Sequence, residues 1–175
     1  MGSKWKILAA FALAGWLLGC ADTHQLVREG ATGTKLTNTD SLYIAVCRDG
    51  AYGTAVYAGS GAMTSQTLVS AFSKHAQNVE MSHGYESFDD ALVTARAKKV
   101  KYLIYPTILP WEDRATEWSG IPDRVEVKVE IVDVQTGKAV ESAVISGKSG
   151  LATLGGDHPQ DLLPKPVEEF VSSLY

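Results

Sequence analysis

Cysteine is scarce in this chain of 175 residues: only Cys20 and Cys47 are present. A disulfide-stapled scaffold needs several cysteines in a short chain and is excluded. Basic residues are in deficit, with 16 Lys and Arg against 20 Asp and Glu and a formal net charge of −4, and they form no cluster. The electrostatic footprint of a nucleic-acid-binding protein is therefore missing, as is a basic amphipathic helix for anionic lipid. No apolar run reaches the roughly 20 residues that a membrane-spanning helix requires. The histidines, His24, His75, His83 and His158, make no zinc-binding helical pair. A Gly-x-Ser-x-Gly nucleophile elbow is absent. Gly147-Lys148-Ser149 has the end of a phosphate loop, but the glycine required five places earlier is Ser142. No repeat or low-complexity stretch is visible.

What is present begins at the amino terminus. Lys4 and Lys6 precede an uncharged, almost wholly apolar run from Ile7 to Leu18. About a dozen such residues suit a signal-peptide core and are too few to cross a bilayer. The run ends in Leu17-Leu18-Gly19-Cys20, which resembles the lipobox of bacterial lipoproteins. That resemblance implies cleavage after Gly19, a diacylglycerol on the Cys20 thiol and a third acyl chain, such as palmitate, on the new amino group. Stable anchoring takes more than one acyl chain, and three supply it. Ala21 follows Cys20 where Asp would favour inner-membrane retention, so the resemblance implies delivery to the outer membrane, facing the periplasm. Residues 1–19 read as a signal peptide and residues 20–40 as a lipidated cysteine with a flexible tether, because that segment is polar and has few large apolar residues.

Residues 41–175 read as one globular domain with enough chain for a core. Leu42 to Val46 is an apolar strand. The glycines at 50, 53, 59 and 61 mark a loop. Leu68, Val69, Phe72 and Ala76 form the stripe of an amphipathic helix. A short strand at 79–81 precedes a second helix, which Ser87 and Asp90 open as a capping box. Val100 to Leu109 is a strand with an apolar centre. Val125, Val127, Val129 and Ile131 alternate with Glu126, Lys128 and Glu130, the pattern of a strand with one wet face. A turn at 135–138 leads to a hairpin partner, and Pro166 opens a last helix docked by Val167, Phe170, Val171 and Leu174. The order is β-α-β-α-β-β-β-α, an α/β (α+β) fold with a mixed sheet packed by helices. The first three strands are expected to be parallel neighbours in right-handed crossovers, and the last strands an antiparallel meander.

Candidate sites follow from residue type. Residues 111–124 join two strands and carry Trp111, Glu112, Asp113, Arg114, Trp118 and Arg124. Tryptophan and arginine are enriched at binding hot spots, and a connecting loop belongs at the surface. Such a loop either recognises a partner or covers the end of the sheet. Paired strands around it would bring Arg114 near Asp123 and Glu112 near Val125. Asp157, His158 and Asp161 form an acid–histidine cluster that either holds a metal or acts as a base, or else Asp157 caps a helix beside a solvated His158. The amides of Gly59-Ser60-Gly61 precede a helix and suit either an anion or a plain cap. Cys47 is either a small buried thiol or a reactive one.

The element order and the lipobox together resemble the TolB amino-terminal and penicillin-binding-protein-activator lipoprotein domains. Tyr105-Pro-Thr-Ile-Leu-Pro-Trp111 through Trp118-Ser-Gly120, with Gly155-Gly-Asp-His-Pro-Gln-Asp161, resembles an uncharacterised proteobacterial family of lipoproteins, a domain of unknown function. It implies no activity and no catalytic residues. The expected function is a non-enzymatic adaptor or regulator, with a membrane anchor, an envelope protein as partner and no cofactor beyond the lipid on Cys20. The alternatives are an envelope enzyme or small-ligand binder using the acid–histidine cluster, and a passive component of the outer membrane.

Overall fold

A computed structural model of the chain describes residues 22–29, 33–113, 122–150 and 158–175. Its elements are β1 (Thr23–Arg28), β2 (Ser41–Val46), β3 (Ala51–Tyr52), β4 (Ala55–Val56), α1 (Ser60–Phe72), β5 (Asn78–Tyr85), α2 (Phe88–Lys98), β6 (Tyr102–Glu112), β7 (Arg124–Asp133), β8 (Lys138–Lys148), a 3-10 turn (Pro159–Leu162) and α3 (Pro164–Ser172). Six strands form one sheet in the order β1-β8-β7-β6-β2-β5, and β3 and β4 form a separate hairpin.

Strand β2 is the hinge of this topology. It pairs in parallel with β5 on one side and β6 on the other, as the crossover pattern predicts. Residues Leu42 to Val46 are all buried, because helices cover this part of the sheet on both faces. Leu42 and Ile44 point into a core shared with Leu68, Phe72, Phe170 and Val171. Tyr43 and Ala45 point the other way, against Ala91, Leu92 and Ala95 of α2. Ser87 caps α2 through its hydroxyl, which accepts the Asp90 N–H at 3.3 Å and donates to the Asp90 carboxylate at 2.6 Å. Ser87 is therefore the N-cap read from the sequence, and Asp90 meets its hydroxyl rather than its backbone N–H.

From β6 onward the sheet becomes an antiparallel meander, again as expected. Val125, Val127, Val129 and Ile131 of β7 are buried against the α1–α3 side. The intervening Glu126, Lys128 and Glu130 are half-buried on the opposite face. Helix α3 docks through Val167, Phe170 and Val171, all buried, and Leu174 just beyond it is buried too.

One expectation is corrected. Thr23–Arg28, read as part of a flexible tether, is an edge strand paired antiparallel with β8 over six residues. Its inward side chains explain why it docks. Leu26 packs on the main core, His24 meets Glu169 of α3 at 3.1 Å, and Arg28 lies 3.6 Å from the buried carboxylate of Glu141. Leu36, also within the presumed tether, is buried, and its N–H bonds the Leu174 carbonyl at 2.9 Å. The glycine-rich loop likewise contains structure. Tyr52 and Ala55 pair across a two-residue turn in which Gly53 has φ +60°, the glycine-first pattern of a II′ hairpin turn.

Candidate binding surface

The two halves of the sheet differ in their cover, and the difference creates the candidate site. Helix α2 shields the β2–β6 region, but on that side it packs no further than Val132 and Val134 at the end of β7. The same face of β7, β8 and β1 carries mainly polar side chains. Register places Thr23 beside Lys148, Lys148 beside Arg124, and Arg124 beside Glu112, a row across four strands at one end of the sheet. The next row holds Gln25, Ser146 and Glu126. A shallow cleft of about 450 Å³ opens at this end of the sheet, lined by Thr23, His24, Gln25, Arg124, Glu126, Ser146, Gly147 and Lys148. Charge on the face is matched along β7: Arg124 pairs with Glu126, and Lys128 with Glu130 at 3.1 Å. Such partly exposed pairs contribute little stability, at most about 1 kcal/mol each.

The residues singled out in the sequence meet this surface unevenly. Gly19, Cys20, Arg114, Trp118 and Asp157 lie outside the described residues. Trp111 is not a surface residue. It belongs to β6, is only 2 % exposed and joins the main core, because an irregularity between Ile108 and Trp111 turns both side chains inward. The hairpin register also differs by one residue from the expected one. Trp111 faces Val125, and Glu112 faces Arg124. Glu112 and Arg124 thus reach the polar row, while Asp113 turns towards His158, whose Nδ1 is 3.7 Å from Oδ1 of Asp113. Asp113 and His158, far apart in sequence, are thus neighbours at one end of the fold.

Asp161 plays a structural part there. Its carboxylate accepts the backbone N–H of His158 at 3.2 Å, which fastens the start of the 3-10 turn. Among the described residues no group of three or more His, Cys, Asp and Glu side chains is placed to hold a metal ion. The glycine amides before α1 are occupied from within the chain. Asp49 accepts the Gly61 N–H at 2.8 Å and the Gly59 N–H at 3.1 Å, so a carboxylate already sits at this helix start. Cys47 is buried, with its thiol directed at the Gly61 carbonyl. Burial pushes its pKa up to about 11, so the thiol stays protonated and inert at neutral pH. Thr23 and Gln25 were not singled out beforehand, and Lys148 only in the phosphate-loop ending set aside above. The signal for Ser146 and Lys148 was the polar half of the alternation in β8, and that for Thr23 and Gln25 was hidden in a strand read as tether.

The family described as Domain of unknown function (DUF4823) matches the chain over residues 34–174. The chain belongs to this family. No curated protein matches it. Among solved structures, the DUF4823 chain resembles the PelC dodecamer from Paraburkholderia phytofirmans, with 15% identity, a TM-score of 0.64, and 88% of this chain and 97% of that chain covered. It also resembles lipoprotein GNA1162 from Neisseria meningitidis, with 13% identity, a TM-score of 0.51, and 76% and 98% covered. At such identities the likeness is one of fold. It agrees with the mixed sheet and the three helices of the DUF4823 domain.

Proposed function

We propose that this protein is a lipid-anchored lipoprotein of the bacterial envelope, acylated on Cys20 after cleavage behind Gly19 and held on the outer membrane facing the periplasm. In this reading it is a non-enzymatic adaptor that binds another envelope component through the helix-free face of β1, β8 and β7. The observation that carries the adaptor role is the cleft over Thr23, Gln25, Arg124, Glu126, Ser146 and Lys148. Small-molecule sites are concave and mostly apolar. This one is shallow and lined by charged and polar side chains, which suits the polar surface of a macromolecule. The lipobox and the fold likeness to lipoprotein GNA1162 support the envelope setting.

The test is a photocrosslinking residue at Glu126 in cells. Capture of one envelope protein, lost on Arg124→Glu, is the expected result. The captured protein being a second copy of the chain would make the adaptor a self-assembling one, as the neighbouring PelC dodecamer is. No capture at Glu126, beside efficient capture from Gln135 at the opposite end of β7, would sink the reading. The anchor has a separate test. Cys20→Ala should abolish acylation and leave an uncleaved precursor, and normal processing of that variant would refute it.

A further inference from the structure

The β3–β4 hairpin has no role in the cleft and is unusual in composition. Residues 50–73 contain no charged side chain. All four hairpin strand residues are exposed, and Val56 and Tyr52 are 67% and 45% exposed. The hairpin thus presents an uncharged, largely apolar surface to its surroundings.

Its position indicates what that surface meets. The root of the hairpin is clamped to the last residues of β6. Gly50 packs so tightly on Trp111 that a Cβ there would lie 2.6 Å from the Trp111 Cβ. Tyr57 donates its N–H to the Gly50 carbonyl at 2.9 Å and its hydroxyl to the Asp113 carbonyl at 3.2 Å. The hairpin therefore stands at the end of the sheet where β6 finishes. Strand β1 begins at that same end, since Thr23, Lys148, Arg124 and Glu112 share one row. Thr23 is three residues from Cys20, and three residues span at most about 11 Å in any conformation. Strands are roughly 4.8 Å apart, which puts β6 about 15 Å from β1 along the row.

We infer that the β3–β4 hairpin, through Val56 and Tyr52, seats in the lipid headgroup region beside the acylated Cys20 and makes a second contact with the bilayer. This rests on the anchor reading above. A tyrosine ring with a valine beside it suits the boundary between headgroups and acyl chains, where an apolar body and a polar tip are both satisfied. An uncharged hairpin avoids the penalty of bringing ions to that boundary. Two contacts separated along the row fix the orientation of the domain, where the lipid alone would leave it free to swing.

The experiment uses the processed, full-length protein in vesicles of phosphatidylethanolamine and phosphatidylglycerol. Val56→Cys and, separately, Gln135→Cys carry an environment-sensitive fluorophore, while mass spectrometry of the mature amino terminus reports acylation. Cys47 is buried with a raised pKa and does not compete for label. The expected result is a blue-shifted emission at Val56, quenched by a lipid-borne quencher, and water-like emission at Gln135. The shift should be lost when Tyr52→Asp is added. Water-like emission at Val56 on acylated, vesicle-bound protein overturns the hairpin contact and leaves the anchor standing. Shielding of Val56 in cells but not in vesicles overturns it in favour of a protein partner. Missing acyl chains overturn the anchor reading, and the hairpin contact with it.

Discussion

The parallel and antiparallel halves of this sheet are built from similar strands but live in different solvents. Strand β2 has helices on both faces and shows an unbroken run of buried residues. Strand β7 has a packed face and an open one, and its burial alternates residue by residue. The lesson is that the helices decide which surface is left for function. Two crossovers, through α1 and α2, consume both faces of the β5-β2-β6 half. Among the described residues the meander is covered by α3 and the 3-10 turn on one face, and the other carries no helix of its own. Parallel sheets are ordinarily covered on both sides, whereas antiparallel ones tolerate a wet face.

Substitutions can break this contrast. The largest effect is expected inside the doubly covered half. Ile44→Ala removes a fully buried side chain and should cost about 4 kcal/mol in urea unfolding, whereas Lys128→Ala on the open face should stay within about 0.5 kcal/mol. A comparable loss at Lys128 would mean that the open face is structurally required. Gly50→Ala drives a methyl group into Trp111 and should cost about 2 kcal/mol by overpacking. A neutral result there would show that the hairpin root can shift freely.

The edge of the open half has its own test. Arg28, about a third exposed, is paired with the buried Glu141 carboxylate, so Arg28→Ala strands a carboxylate in the interior. About 2 kcal/mol is expected after allowing for solvent at Arg28. Glu141→Leu added to Arg28→Ala should recover most of that loss. Failure of the double variant to recover would show that Arg28 acts through its packing near the Phe170 ring.

Acid should act more gently, at the far end of the sheet. Burial raises the Asp40 carboxyl pKa, but hydrogen bonds from Lys101 at 2.7 Å and the Thr37 N–H at 2.8 Å outweigh it and hold the group below the ordinary 3.8. A depressed pKa gives stability that is present above the ordinary value and lost as pH falls through the folded one. The melting temperature should therefore decline below about pH 4, and less so in Asp40→Asn. The smallest effect concerns Cys47. Its thiol should resist alkylation at pH 8 in the native protein and react readily in urea, because burial holds its pKa at about 11.

Much of the fold was legible in the sequence, for identifiable reasons. The apolar run at 42–46 and the alternation at 125–131 report their own burial. The Ser87–Asp90 cap and the Val167–Leu174 stripe mark helices by local rules. Strand β1 was illegible because an edge strand over a helix needs only one apolar inward residue. His24 and Arg28 fill the other inward places by pairing with carboxylates, which a polar sequence conceals. Trp111 was misplaced because a one-residue irregularity in β6 reverses which side chains face inward, and periodicity does not report it. The site was half visible. Glu112 and Arg124 were anticipated and do share the polar row, but the cleft over them needs β1, which the sequence hid.

Strand β1 also has a mechanical consequence. Its ladder bonds run perpendicular to the strand, six residues deep, against β8. The anchor proposed above would attach at its leading end, so a pull along the strand axis would strain all those bonds together, as in shear. Peeling would need a sideways force that breaks them one by one. A chain leashed at this point resists tension from the membrane better than its thin edge strand suggests, and it transmits that load into the centre of the domain.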